Sequence, residues 1–112
     1  MVEGDGFNTM PLSREVRISP EEYSLSDAYP NPFNPTTTLS FTVPIEGVVS
    51  LNIYDMTGRL VSTLVDGNLK QGYHSFTWNG MDSNGYAVSS GMYIYSLKAE
   101  GISITKKMVM MK

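Results

Sequence analysis

Residues 37–43 read TTLSFTV. Leu39, Phe41 and Val43 fall on one side of an extended chain, Ser40 and Thr42 on the other. A period of two is the mark of a half-buried β-strand, and Pro44 and Gly47 end it. The alternation returns downstream. VVSLNIYD, residues 48–55, turns Val49, Leu51 and Ile53 inward, and MTG reverses the chain at Gly58. RLVSTLVDG, residues 59–67, is apolar on both faces, so its register stays ambiguous, and Asp66-Gly67 is expected to stop it. GYHSFTWNG places His74, Phe76 and Trp78 on one face and Tyr73, Ser75 and Thr77 on the other.

Two Asn-Gly steps, at 79–80 and 84–85, are strong turn signals. GMYIYSLKAEG then alternates Tyr93, Tyr95 and Leu97 against Met92, Ile94 and Ser96. In ISITKKMVMMK, the last strand, the Lys106–Lys107 pair interrupts the alternation and points to a bulge. Six or seven short strands with no helix between them describe an all-β sandwich. The expected fold is an immunoglobulin-like β-sandwich of about seven antiparallel strands. It is not a true antibody domain, because the chain has no cysteine. Leu39, Phe41, Leu51, Ile53, Phe76, Trp78, Tyr93, Tyr95 and Leu97 are expected to share one core.

Composition agrees. With 112 residues, 41% of them hydrophobic, the chain can build one core but not two. No apolar run is long enough to cross a bilayer as a helix. MVEGDGF, residues 1–7, has neither a basic start nor an apolar stretch, so a secretory signal, if the protein is exported, is expected upstream of Met1. The net charge of −3 resides in residues 1–23; the rest balances to zero and offers no electrostatic footprint for nucleic acid. Residues 1–23 hold no sustained period. They read as a linker or the tail of an upstream domain, with one short strand at Glu15–Ile18 and the folded domain over 24–112.

The residues that often carry chemistry do not converge. His74 is the only histidine and reads as a core-rim residue, and no serine stands in a nucleophile context. DSNGY, residues 82–86, starts like a calcium loop, but tyrosines stand where the fifth and twelfth ligands belong, at Tyr86 and Tyr93. A plain turn is the better reading. GNLKQG, residues 67–72, lacks the pattern of a phosphate loop. Tyr29, Trp78, Tyr93 and Tyr95 would make a sugar-binding platform only if exposed, and Trp78 lies on an apolar phase. The expectation is a non-catalytic domain without metal or cofactor.

YPNPFNPTT, residues 29–37, adds a stiff lead-in before the first long strand. Together with VSLNIYDMTGRLVSTLVDG, GYHSFTWNGMDSNGYAVSSGMYIYSL and TKKMVMMK, in that order, it makes residues 25–112 resemble the type A C-terminal sorting domain of the type IX (Por) secretion system. The middle pieces are also similar to the Ig-like domain of the flagellar hook-capping protein. The first resemblance implies a signal that directs a covalently attached upstream cargo across the outer membrane to the surface or medium. Its partners would be the type IX secretion machinery and a sortase-like peptidase, cutting upstream of Leu25. It implies no membrane insertion, no nucleic acid, and a monomer.

Under that resemblance, Pro30, Asn31, Pro32 and Phe33 match the family's opening motif, with Phe33 anchoring the lead-in on the core. Gly58, Gly91, Tyr93, Lys106, Lys107 and Lys112 complete the matched set, and the last strand is expected to close the chain at Lys112. The second resemblance implies a structural module of a surface or hook-capping-type protein. A carbohydrate-binding accessory domain is a weaker third reading.

Overall fold

The computed structural model describes residues 21–112. Seven strands run through them: β1 (Ser24–Leu25), β2 (Thr37–Val43), β3 (Gly47–Tyr54), β4 (Leu60–Leu69), β5 (Gly72–Trp78), β6 (Gly91–Ala99) and β7 (Ile102–Met110). They form two antiparallel sheets, one ordered β1-β2-β5 and the other β4-β3-β6-β7. The immunoglobulin-like sandwich is thus the fold. The strand expected at Glu15–Ile18 lies outside the described residues.

Period-two patterning becomes two inner faces. In β2, Leu39, Phe41 and Val43 are buried and the residues between them are half-exposed, and in β3 Val49, Leu51 and Ile53 do the same. Trp78, Tyr93, Tyr95 and Leu97 join them in one cluster, with Phe76 packed against it at the rim. Leu25, Ala28, Phe33, Met108 and Met110 complete the core. The three-residue step Pro44-Ile45-Glu46 carries the chain from the first sheet to the second, because proline cannot extend the ladder and donates no hydrogen bond to it.

Two expectations are corrected. Asp66-Gly67 does not stop β4: the strand runs on to Leu69, with Gly67 opposite Val49 and Leu69 opposite Gly47. A glycine forces a turn only where the backbone takes positive φ, and Gly67 is not among the glycines that do. The ambiguous register of β4 has a physical cause. Ladder shifts between Leu51 and Asn52, and between Ile53 and Tyr54, leave Leu64 and Val61 as extra residues. Each bulge flips the inward phase, so Val61, Leu64, Val65 and Leu69 all pack on the core despite their mixed spacing.

The second correction concerns the Lys106–Lys107 bulge, which does not exist. β6 and β7 pair without a break from Gly91 opposite Met110 to Ala99 opposite Ile102. Lys106 occupies the inward phase of β7 with Ile104, Met108 and Met110. Its stem runs to the sheet rim, where Nζ donates to Asp27 Oδ1 at 2.9 Å. A long basic side chain can hold an inward position in this way and keep its charge wet.

Candidate functional site

The lead-in and the last strand are stitched together. Phe33 donates its backbone N–H to the Val109 carbonyl, and its own carbonyl accepts from the Met111 N–H, both at 2.9 Å. Asn31 Oδ1 accepts from the Val109 N–H at 2.9 Å. The Phe33 ring is buried and tilts against Trp78, with centroids 5.6 Å apart. The Pro30 carbonyl accepts from the buried Thr37 hydroxyl at 2.7 Å, which fixes how the proline-rich segment enters β2. This segment therefore caps the outer edge of β7 over its final turn, with Phe33 and Met110 in a parallel bridge. An unpaired strand edge invites unwanted pairing, and here the chain's own lead-in occupies part of it.

Gly91 begins β6 beside this clamp, opposite Met110, and Tyr93 stands two residues on with its ring edge against Trp78 at 5.3 Å. The Tyr93 hydroxyl donates to the Ser89 carbonyl at 2.6 Å, and the Lys112 N–H donates to Ser90 Oγ at 3.0 Å. Pro30 to Phe33, Gly91, Tyr93 and Lys112 are thus gathered around one end of the sandwich. Pro32 is exposed. Lys107 lies further along β7 on the outer face, opposite Ile94, and Lys106 is occupied by Asp27. Gly58, at positive φ, turns the chain between β3 and β4.

That turn has a twin at DSNGY, which the sequence already marks as a turn; the aspartate capping the two share is what sequence reading missed. Asp55 Oδ1 accepts from the N–H groups of Thr57 and Arg59, and Asp82 Oδ1 accepts from those of Asn84 and Tyr86. In both, the aspartate carbonyl accepts from the glycine three residues on, Gly58 or Gly85. The shared pattern, Asp followed by Thr or Asn two residues on and then Gly, is the recognisable signal: a short acceptor folding the chain over itself, with glycine supplying the left-handed residue. The two turns flank a cleft of about 380 Å³ with Leu60, Val88 and Tyr93 in its wall. The Thr57 hydroxyl, and behind it the Arg59 amide, hold the Asp55 carboxyl well below the usual carboxylate range. Asp82 is thereby spent on its own turn.

His74 is equally occupied. Its Nε2 lies 2.8 Å from the Lys70 carbonyl and its ring stacks on Phe41 at 5.5 Å. Trp78, Tyr93 and Tyr95 are buried, so they form no sugar platform. The Tyr95 hydroxyl donates to the Ser26 carbonyl at 2.8 Å, and burial raises its pKa. Among the described residues, no three acidic, histidine or cysteine side chains are grouped to hold a metal ion.

The fold and these features define an Ig-like module in which Asp55, Asp82 and His74 serve its own loops and edges. Residues 31–102 match the FlgD Ig-like domain, and the chain belongs to that family. It is 37% identical to the basal-body rod modification protein FlgD of Salmonella typhimurium over 67 residues, 57% of this chain and 29% of that protein. The chain thus spans under a third of the relatives it matches. Among solved structures, latent PorU from Porphyromonas gingivalis superposes with a TM-score of 0.63 at 22% identity, over 88% of this chain and 10% of that one. PorZ from the same organism gives 0.53 at 24%, over 77% and 11%. At such identities these two show the fold alone.

Proposed function

We propose that this domain is a non-catalytic, structural Ig-like module of the hook-capping kind, working outside the cytoplasm as part of a larger protein. The family match over residues 31–102 carries the reading. It is supported by the way the residues that often carry chemistry are employed: Asp55, Asp82 and His74 are all engaged in local structure. A second reading, a type IX sorting domain, is favoured by the clamp. The family match runs from residue 31 to residue 102 and leaves out nearly all of β7, whereas the sorting resemblance includes the strand that the lead-in seals. In that reading the secretion machinery recognises the end of the sandwich where Pro30, Asn31, Phe33, Gly91, Tyr93 and Lys112 gather, with Lys106 and Lys107 further along the same strand. A sortase-like peptidase then acts upstream of Leu25.

One experiment separates the two. Residues 24–112 are fused behind a reporter bearing a signal peptide and expressed in a host with type IX machinery. Folded reporter held in the periplasm supports the structural module, and reporter at the surface or in the medium supports sorting. Deleting Lys106–Lys112 is not a usable control, because Met108 and Met110 are core residues and the truncated domain would unfold. Lys107→Glu with Lys112→Glu changes the exposed charges and leaves the core intact. In parallel, residues 24–112, which keep β7 and its core methionines, replace the Ig-like domain of the Salmonella FlgD. Restored motility supports the hook-capping reading, and a stable but immotile chimaera counts against it.

A further inference from the structure

The outer face of the β1-β2-β5 sheet is a grid of hydroxyls. Strand pairing sets Ser24, Thr42 and Tyr73 in one row, Ser26, Ser40 and Ser75 in the next, and Tyr29, Thr38 and Thr77 in the third. Cross-strand partners share a face, so all nine side chains project from the same side. None is charged, and every one ends in a hydroxyl. The rows are internally ordered: Ser24 Oγ and Thr42 Oγ1 are 2.7 Å apart, Ser40 Oγ and Ser75 Oγ 2.9 Å, and Thr38 Oγ1 and Thr77 Oγ1 3.5 Å. Thr42 Oγ1 also donates to the Glu22 carbonyl at 2.8 Å. A shallow groove of about 570 Å³ runs along this part of the sheet, lined by six of these residues together with Leu25, Phe41 and His74.

Two tyrosines stand at opposite corners of the grid, Tyr29 at 81% and Tyr73 at 69% exposure. They are two strands and four residues apart, so about 16 Å separates them along the diagonal at ordinary strand spacing and rise. From this arrangement we infer that the face binds a neutral polysaccharide. An aromatic ring offers an apolar plane with a polar tip, which suits the C–H face of a sugar ring. A hydroxyl is a donor and a double acceptor, which suits the sugar's own hydroxyls. The cross-strand pairs hold these groups in place before any ligand arrives, so little ordering remains to oppose binding.

The alternatives fit less well. A polyanion or polycation finds no opposite charge at any of the nine positions. A protein partner would seek a core of aromatic, Met or Arg residues in a face where serine is scarce, and here serine and threonine fill seven of the nine positions. The inference is independent of both readings above, since neither uses this face.

The test is affinity electrophoresis of the full 112-residue chain through gels containing xyloglucan, mixed-linkage β-glucan or mannan. Gels with polygalacturonate serve as the anionic comparator, and a pull-down on microcrystalline cellulose is run beside them. At least one neutral polysaccharide should retard the chain. Tyr29→Ala/Tyr73→Ala should weaken that retardation at least tenfold with the melting temperature unchanged, because both rings are exposed. Tyr86→Ala, equally exposed but off the grid, should leave it intact. The inference is overturned by no retardation on any neutral polysaccharide, by retardation on polygalacturonate alone, or by retardation that the double variant retains. Light scattering that shows a dimer dissolved by the double variant would overturn it too, assigning the face to a second copy.

Discussion

Replacing Phe33 by alanine tests whether the proline-rich lead-in belongs to the folded core or only marks its border. The ring is 2% exposed and lies against Trp78 at 5.6 Å. Buried Phe→Ala changes cost about 3–5 kcal/mol, combining lost transfer energy with the cavity left behind. A domain of roughly ninety residues unfolds with about 0.19 kcal/mol/K of entropy, so the melting temperature should fall by about 15–25 °C. The loss should be specific to the clamp. Hydrogen exchange should quicken first at Met111, whose N–H donates to the Phe33 carbonyl, and at Val109, whose N–H donates to Asn31. Phe33→Leu keeps most of the volume and should cost less than half as much. Thermal denaturation by circular dichroism reads the first effect and mass-resolved exchange the second. A Phe33→Ala domain melting within about 5 °C of the parent, roughly 1 kcal/mol on the same scale, would refute the clamp and leave the prolines as a boundary marker only.

Asp55→Asn should lower the melting temperature near neutral pH. Because hydrogen bonds depress the folded-state pKa of Asp55, its contribution is present above the unfolded carboxylate value of about 4 and is lost as the pH falls through the folded value. The gap between parent and variant should therefore close in acid, and a gap that stays constant from pH 6 to pH 2 would contradict this. Gly80→Ala should cost about 2–4 kcal/mol: the residue is left-handed at φ 76°, and a new Cβ would meet the Pro35 carbonyl at 3.0 Å and the Met110 methyl. Gly85→Ala, at φ 86° with nothing nearby, should pay only the left-handed strain of about 1–2 kcal/mol. Equal losses in equilibrium urea denaturation would show that close packing at Gly80 is not what matters.

Some of this protein is legible in one dimension because its causes are local. Alternation in 37–43, 48–55 and 91–99 marks which side chains face inward, since successive residues of a strand point to opposite sides whatever they pair with. Asn79-Gly80 and Asn84-Gly85 announce turns for the same reason: both glycines take the left-handed backbone that those steps favour. The Asp55 and Asp82 turns were equally local, and their common pattern was there to be read. Other features depend on partners far away in the chain. The bulges of β4 exist only against β3, so a run apolar on both faces had no unique register until its neighbour set one. Lys106 looked like a break in the last strand because its partner, Asp27, lies seventy-nine positions earlier. The hydroxyl grid likewise appears in sequence as scattered serines and threonines, and only the pairing of β1, β2 and β5 brings them onto one face. Periodicity is a property of one strand, whereas register, edge protection and surface chemistry belong to pairs of strands, and tertiary packing selects the pairs.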